Sequence, residues 1–169
     1  MAGDETTNGD LHPSAARVAE SLRSAGVAGE VREFLQPTRT AAEAAAALGC
    51  PEGAIGSCLV VMADEEPVVV IRSGVARMDL DALATTLAAR AVRRATASEV
   101  RTATGQPIGG VSPVGWPGPL RVYVDQALRA FDVVWSAAGT PNAVFATTFQ
   151  ELLAITGGEA ITVVSEVSR

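Results

Sequence analysis

Apolar positions recur along this chain with a helical period in some stretches and a strand period in others. Between Pro13 and about residue 25, Val18, Leu22 and Ala25 fall on one face. Pro13 suits a first helical turn and Gly26 stops the run, so the spacing predicts a helix there. Residues 30–35 read as a short strand. Thr40 and Glu43 have the spacing of a capping box ahead of an alanine-rich helix over 41–48, closed by Gly49 and Pro51. Two β-rich runs, 57–63 and 67–71, are joined by Asp64-Glu65-Glu66 and predict a hairpin. Asp79 can cap a helix reaching about Arg90, and Thr96 with Glu99 forms a second capping pair ahead of a short helix ending at Gly105. Strands follow over 120–124, 133–137 and 143–146. Thr148 and Glu151 make a third capping pair for a helix to Ile155, and a last apolar run, 160–164, returns to the sheet.

Strands and helices interleave irregularly, with hairpins as well as crossovers, which predicts an α+β fold with a mixed sheet over a doubly wound parallel one. Residues 105–119 interrupt the pattern with four prolines and five glycines, and no helix or central strand tolerates that density. A long ordered loop inside a compact domain is more often functional than filler. The 169 residues suffice for one well-buried core. We expect a single domain over 11–169, preceded by a flexible acidic tail over residues 1–10 that carries Asp4, Glu5 and Asp10.

Composition narrows the chemistry. With 48% hydrophobic and 19% charged residues the chain belongs to the globular class. No apolar run approaches the roughly 18 residues of a membrane helix, and the acidic start is unlike a signal peptide, so the expectation is a cytoplasmic protein without membrane contact. All 13 basic residues are arginine, which excludes Schiff-base and lysine general-base catalysis. The single histidine, His12, reads as a solvated or helix-edge residue. Cys50 and Cys58 cannot assemble a zinc set with one histidine, and read as reduced, structural thiols, so neither metal nor cofactor is expected. There is no GxGxxG after a strand, no P-loop and no GxSxG elbow. Hydroxyls, carboxylates, arginines, backbone dipoles and water remain. Arg90, Arg93, Arg94 and Arg101 form one basic cluster, read as a solvated helix face or as phosphate contacts. The net charge of −6 gives no general attraction to nucleic acid. Trp135 alternates with strand core and reads as packing; Trp116 is either a stacking surface or a loop anchor.

Four blocks, in order, resemble the YbaK/prolyl-tRNA synthetase-associated domain family and together cover about residues 13–158. They are TAAEAAAALG (from Thr40) with IGSCLV (from Ile55); EPVVV (from Glu66) leading through Arg77-Met78-Asp79-Leu80; TGQPIGGVSP (from Thr104) with Val124-Asp125; and VWSAAG (from Val134) ending in ELLAITG (from Glu151). The resemblance implies a mixed, partly closed β-sheet flanked by helices, either free-standing or inserted in a prolyl-tRNA synthetase. It implies removal of wrong amino acids such as alanine or cysteine from tRNA, without metal, assisted by the tRNA's own 2′-hydroxyl.

By that resemblance Gly109, Gly110 and Ser57 are the catalytic candidates. Thr40, Ser112, Pro113, Ser136 and Gly139 are the substrate-binding ones, and Arg72 and Arg77 are placed against phosphates of the acceptor end of aminoacyl-tRNA. A glycine-rich loop lets an ester approach closely, and its N–H groups can stabilise an oxyanion. The glycines could instead only make a turn before Pro113, and Ser112 could bond its own turn. The chain departs from the family where Ser57 replaces a usual lysine, and where no carboxylate lies between Asp132 and Glu151. Two readings follow: a free-standing aminoacyl-tRNA deacylase, or a binding module that keeps the pocket and takes a small amino-acid-like ligand or a protein partner. A homodimer is open to either.

Overall fold

The computed structural model describes residues 5–6 and 11–163. Helix α1 (Pro13–Ser24) starts where Pro13 fixes its first turn, and His12 caps it by accepting the Ser14 N–H at Nδ1, 3.2 Å away. Val18 and Leu22 are fully buried against β2 (Val31–Phe34) and β8 (Ala143–Thr147) through Phe145. Helix α2 (Ala41–Leu48) ends at Gly49 in the left-handed conformation and leads through a 3₁₀ turn (Glu52–Ala54) into β3 (Ile55–Ala63). Strand β4 (Glu66–Ser73) returns antiparallel to β3 along its whole length, as the hairpin expectation requires.

The turn between them is tighter than expected. Glu66 already pairs with Ala63, which leaves only Asp64 and Glu65, both at positive φ, as in a type I′ turn. Neither residue is glycine, and the strain is offset locally: the Asp64 carboxylate accepts the Arg90 and Ala91 N–H groups. Strand β4 has Val68–Ile71 buried on both faces, so its sequence is a continuous apolar run and not an alternation.

Helix α3 (Leu80–Thr86), capped by Asp79, is shorter than the expected run to Arg90. Ala88 takes positive φ, and Val92–Arg94 forms a strand, β5, that pairs antiparallel with β3. Helix α4 (Ala97–Thr104) follows, closed by Gly105. Residues 105–119 form neither helix nor strand, yet 110–114 are buried. Strand β6 (Arg121–Asp125), a second 3₁₀ turn (Gln126–Ala130), β7 (Val134–Ala137), β8, α5 (Phe149–Thr156) and β9 (Glu159–Ile161) complete the chain. At the other end Glu5–Thr6, strand β1, pairs with β2. The expected tail over 1–10 otherwise lies outside the described residues, as does the end of the run to residue 164.

The sheet runs β1-β2-β8-β7-β3-β4-β6-β9, with β5 on β3. It is mixed: β3–β7, β4–β6 and β6–β9 are parallel and the remaining pairs antiparallel. Among the described residues its end strands β1 and β9 do not pair with each other, so it is open along its path. Leu83 and Leu87 cover one face of its centre through Val61, Val68 and Val70. Val100, Phe149 and Leu152 cover the other through Val60, Val69, Ile71 and Val124. This is the α+β single-domain architecture expected from the pattern.

Candidate functional site

Strand β3 has one edge occupied by β4, but its other edge is shared. β7 pairs there only with Ile55 and Gly56, and β5 only with Val61, Met62 and Ala63. Between them Ser57, Cys58 and Leu59 face no strand, and a cavity of about 430 Å³ opens at this fork. Sheet edges expose unpaired N–H and C=O groups, so the fork presents backbone polarity together with side chains to one cavity. Thr40, Ser57, Arg72, Gly109 and Ser136 all line it.

Each is held by local structure. Thr40 is the N-cap of α2, its hydroxyl accepting the Glu43 N–H at 3.1 Å. Ser136 is buried on β7, and its Oγ lies 3.6 Å from the Cys58 Sγ. Burial pushes the Cys58 thiol up to about 12, more than the contact with Ser136 lowers it, so the thiol stays protonated near neutral pH. Arg72 stands directly opposite Ser57 in the β3–β4 register. Its Nη1 donates to the Ala76 carbonyl at 2.5 Å, while its buried Nε has no partner among the described residues. Asp125, buried at the end of β6, accepts the Ser73 N–H at 3.0 Å and so fixes the backbone next to Arg72.

The 105–119 loop is ordered by its own polar groups. Gln106 Oε1 accepts the Ser112 N–H at 2.7 Å and Gln106 Nε2 donates to the Val114 carbonyl at 3.0 Å. The Ser112 hydroxyl also donates to Val114, and Trp116 Nε1 donates to the Ser112 carbonyl at 3.0 Å. Ser112 therefore bonds its own turn, and Trp116 is a loop anchor. Gly110 donates to the Pro107 carbonyl at 2.9 Å, and its carbonyl accepts from Gly139 at 2.9 Å. Its N–H is thus committed to the loop and is not aimed at a ligand. The Gly109 N–H makes no hydrogen bond among the described residues.

Gly110, Ser112, Pro113 and Gly139 do not line the cavity. The first three are buried, and Gly139 borders a separate cleft with His12, Glu33 and Arg101. Arg77 is exposed and also outside the cavity. Conversely, Arg39, Glu52, Cys58, Arg94, Ile108 and Trp135 line it. Trp135 both packs against α2 and faces the cavity, with the Arg32 guanidinium 5.0 Å from its ring centre. Arg94 is brought in by β5, whose single apolar residue between alanine and two arginines gives no strand signal. Among the described residues no group of three or more His, Cys, Asp or Glu could hold a metal, and no helix is long and apolar enough to cross a membrane.

Comparison with known proteins places this geometry. A crystal structure of a candidate trans-editing enzyme for prolyl tRNA synthetase superposes with a TM-score of 0.87 at 40% identity, covering 92% of this chain and 99% of that one. The uncharacterized protein YwhH of Bacillus subtilis is 31% identical over 124 residues, 73% of this chain and 78% of its own. A proline–tRNA ligase of Nitratidesulfovibrio vulgaris (strain Hildenborough) is 34% identical over 96 residues, 57% of this chain but only 17% of the ligase. The model of the aminoacyl-tRNA editing domain matches residues 36–155, a span that contains the fork, the cavity and the glycine loop, and this chain belongs to that family.

Proposed function

We propose that this chain is an aminoacyl-tRNA deacylase that acts in trans on the acceptor end of tRNA, hydrolysing the ester of a small mischarged amino acid. The observation that carries the reading is the cavity at the fork of β3, where Thr40, Ser57, Ser136 and Gly109 converge on unpaired strand edge. Its relatives point the same way: one neighbour is described as a trans-editing candidate for prolyl tRNA synthetase, and the ligase match lies within a synthetase. Tests therefore start with tRNA for proline.

The cavity offers hydroxyls, backbone dipoles and arginines, and its thiol, Cys58, is protonated and so no nucleophile near neutral pH. Water then attacks the ester carbonyl carbon. The terminal ribose 2′-hydroxyl relays its proton to the departing 3′-oxygen, and the Gly109 N–H meets the developing oxyanion. Amino acid and free tRNA leave, and no metal enters the step. A volume of about 430 Å³ that must also admit the ester and ribose favours a small side chain.

Two substrates test these features. A tRNA ending in 2′-deoxyadenosine should be hydrolysed much more slowly than the ribose form, and a chelator should change nothing. Equal rates for the two termini would remove the substrate-assisted step. Across alanyl, cysteinyl, seryl and prolyl esters the preference should follow size, at about 1 to 3 kcal/mol per methylene. The second reading, a binding module, rests on Ser57 standing where the family's lysine is expected. It predicts tight binding of the same esters with no turnover.

A further inference from the structure

The cavity is cationic in an acidic protein. Arg39, Arg72 and Arg94 line it against a single carboxylate, Glu52, although the chain carries a net charge of −6. Two of these arginines are placed by the fork itself. Arg72 pairs with Ser57 on one side of β3, and Arg94 pairs with Val61 on the other. Positions 57 and 61 are four apart on one strand and share a face, and cross-strand partners share it too, so both arginines emerge on the same side of the sheet.

Their partners inside the protein are few. Arg93 is held by Glu65 and Glu99, whereas the guanidinium of its neighbour Arg94 makes no ion pair or hydrogen bond among the described residues, only its carbonyl accepting from Arg93 Nη1. Arg72 spends Nη1 on a carbonyl and leaves its buried Nε without an acceptor. Glu52 and Asp125 act on Arg72 only at Coulombic range, and Arg94 repels it. An arginine whose buried Nε has no acceptor among the described residues, and which a second cation lining the same cavity repels, calls for an oxyanion with several acceptor atoms.

We propose that Arg72 and Arg94 together form an anion site on the cavity wall that takes the phosphate of the acceptor's terminal nucleotide. The inference rests on the deacylase reading for the identity of the ligand, and it makes Arg94 a substrate-binding residue alongside Arg72. Tetrahedral phosphate oxygens suit two guanidiniums lining one cavity, each able to donate more than one hydrogen bond. The ester would then hang from an anchored nucleotide toward Ser57 and Gly109.

The test is calorimetric binding of adenosine 5′-monophosphate, adenosine and inorganic phosphate to the full chain and to Arg94→Gln, Arg72→Gln and, as a distant control, Arg17→Gln. Arg94 is exposed, so its variant should fold, and circular dichroism confirms it. The expected result is that the monophosphate binds at least tenfold more tightly than adenosine and more tightly than phosphate alone. Arg94→Gln should lose roughly tenfold to a hundredfold, the range of one charge-assisted contact, while Arg17→Gln should bind as the parent does. For a deacylated tRNA acceptor, Arg94→Gln should also flatten the salt dependence by about 0.7 in slope.

Equal binding of monophosphate and adenosine, or full binding by a folded Arg94→Gln, would overturn the proposal. The two readings fail separately. Arg94-dependent binding without hydrolysis of any ester would sink the deacylase alone. Hydrolysis with kcat/KM unchanged in Arg94→Gln would sink the anion site alone.

Discussion

Gly109 and Gly110 are neighbours under opposite constraints. A Cβ on Gly110 would lie 2.7 Å from the Thr140 backbone, whereas one on Gly109 would meet nothing within 4 Å. Gly109 needs glycine for its positive φ of 84°, and Gly110 for its close approach. Gly110→Ala should therefore destabilise the fold by about 1–3 kcal/mol, read as a melting temperature lowered by several degrees. Gly109→Asn keeps a residue that tolerates the left-handed region, at a cost of about 1 kcal/mol or less. It sets a side chain into open space at the cavity, so it should lower the melting temperature by at most about 2–4 °C while slowing hydrolysis at least tenfold. Cys58 gives a complementary expectation. Its thiol is protonated well above neutrality, so the rate should show no thiol titration between about pH 6 and 9, and Cys58→Ala should retain activity. An inflection there that disappears in Cys58→Ala would show a thiolate at work. Sequence reasoning could nominate the glycine pair from composition, but which glycine faces the cavity depends on where Thr140 packs, thirty residues downstream.

At the scale of elements, β5 decides where Arg94 stands, and one ion-pair network holds β5. Arg93 bonds Glu99 at the start of α4 through 2.8 Å contacts and Glu65 in the hairpin turn at 2.7 Å. The bond to Arg93, followed by the Thr96 N–H, holds the Glu99 carboxyl down at about 2. A carboxylate whose folded pKa is depressed stabilises the fold above its unfolded value of about 4.3 and loses that contribution as pH falls toward the folded one. Between about pH 4.5 and 2 the parent should lose stability that Glu99→Gln lacks throughout, so the two acid-unfolding curves should converge at the low end of that window. Parallel curves would mean that the pairing is not formed.

The same element shows what a single sequence can and cannot reveal. Thr40, Thr96 and Thr148 all cap helices as their spacing predicts, because an N-cap is a local bond. Only Thr96 and Glu99 close a reciprocal box. The Glu43 carboxylate takes the Arg39 N–H at 2.7 Å, and Glu151 takes the Thr147 hydroxyl at 2.7 Å. β5 was hidden because its pairing with β3, thirty residues away, and not an apolar alternation, makes it a strand.

For the whole molecule, the core lies on both faces of a mixed sheet, and the candidate site is the gap where β7 and β5 leave the edge of β3 between them. The hairpin, the capped helices and the glycine loop were legible because each is written in neighbouring residues. The fork was not, since it depends on two strands from distant parts of the chain stopping short of each other. The central claim is that this gap binds and hydrolyses an aminoacyl ester. Its most direct test is the single-turnover hydrolysis rate of alanyl-tRNA for proline with the purified chain, against buffer and against a folded Gly109→Asn variant. Acceleration over buffer that the variant loses is the predicted result; no acceleration on alanyl or cysteinyl esters by demonstrably folded protein would contradict it.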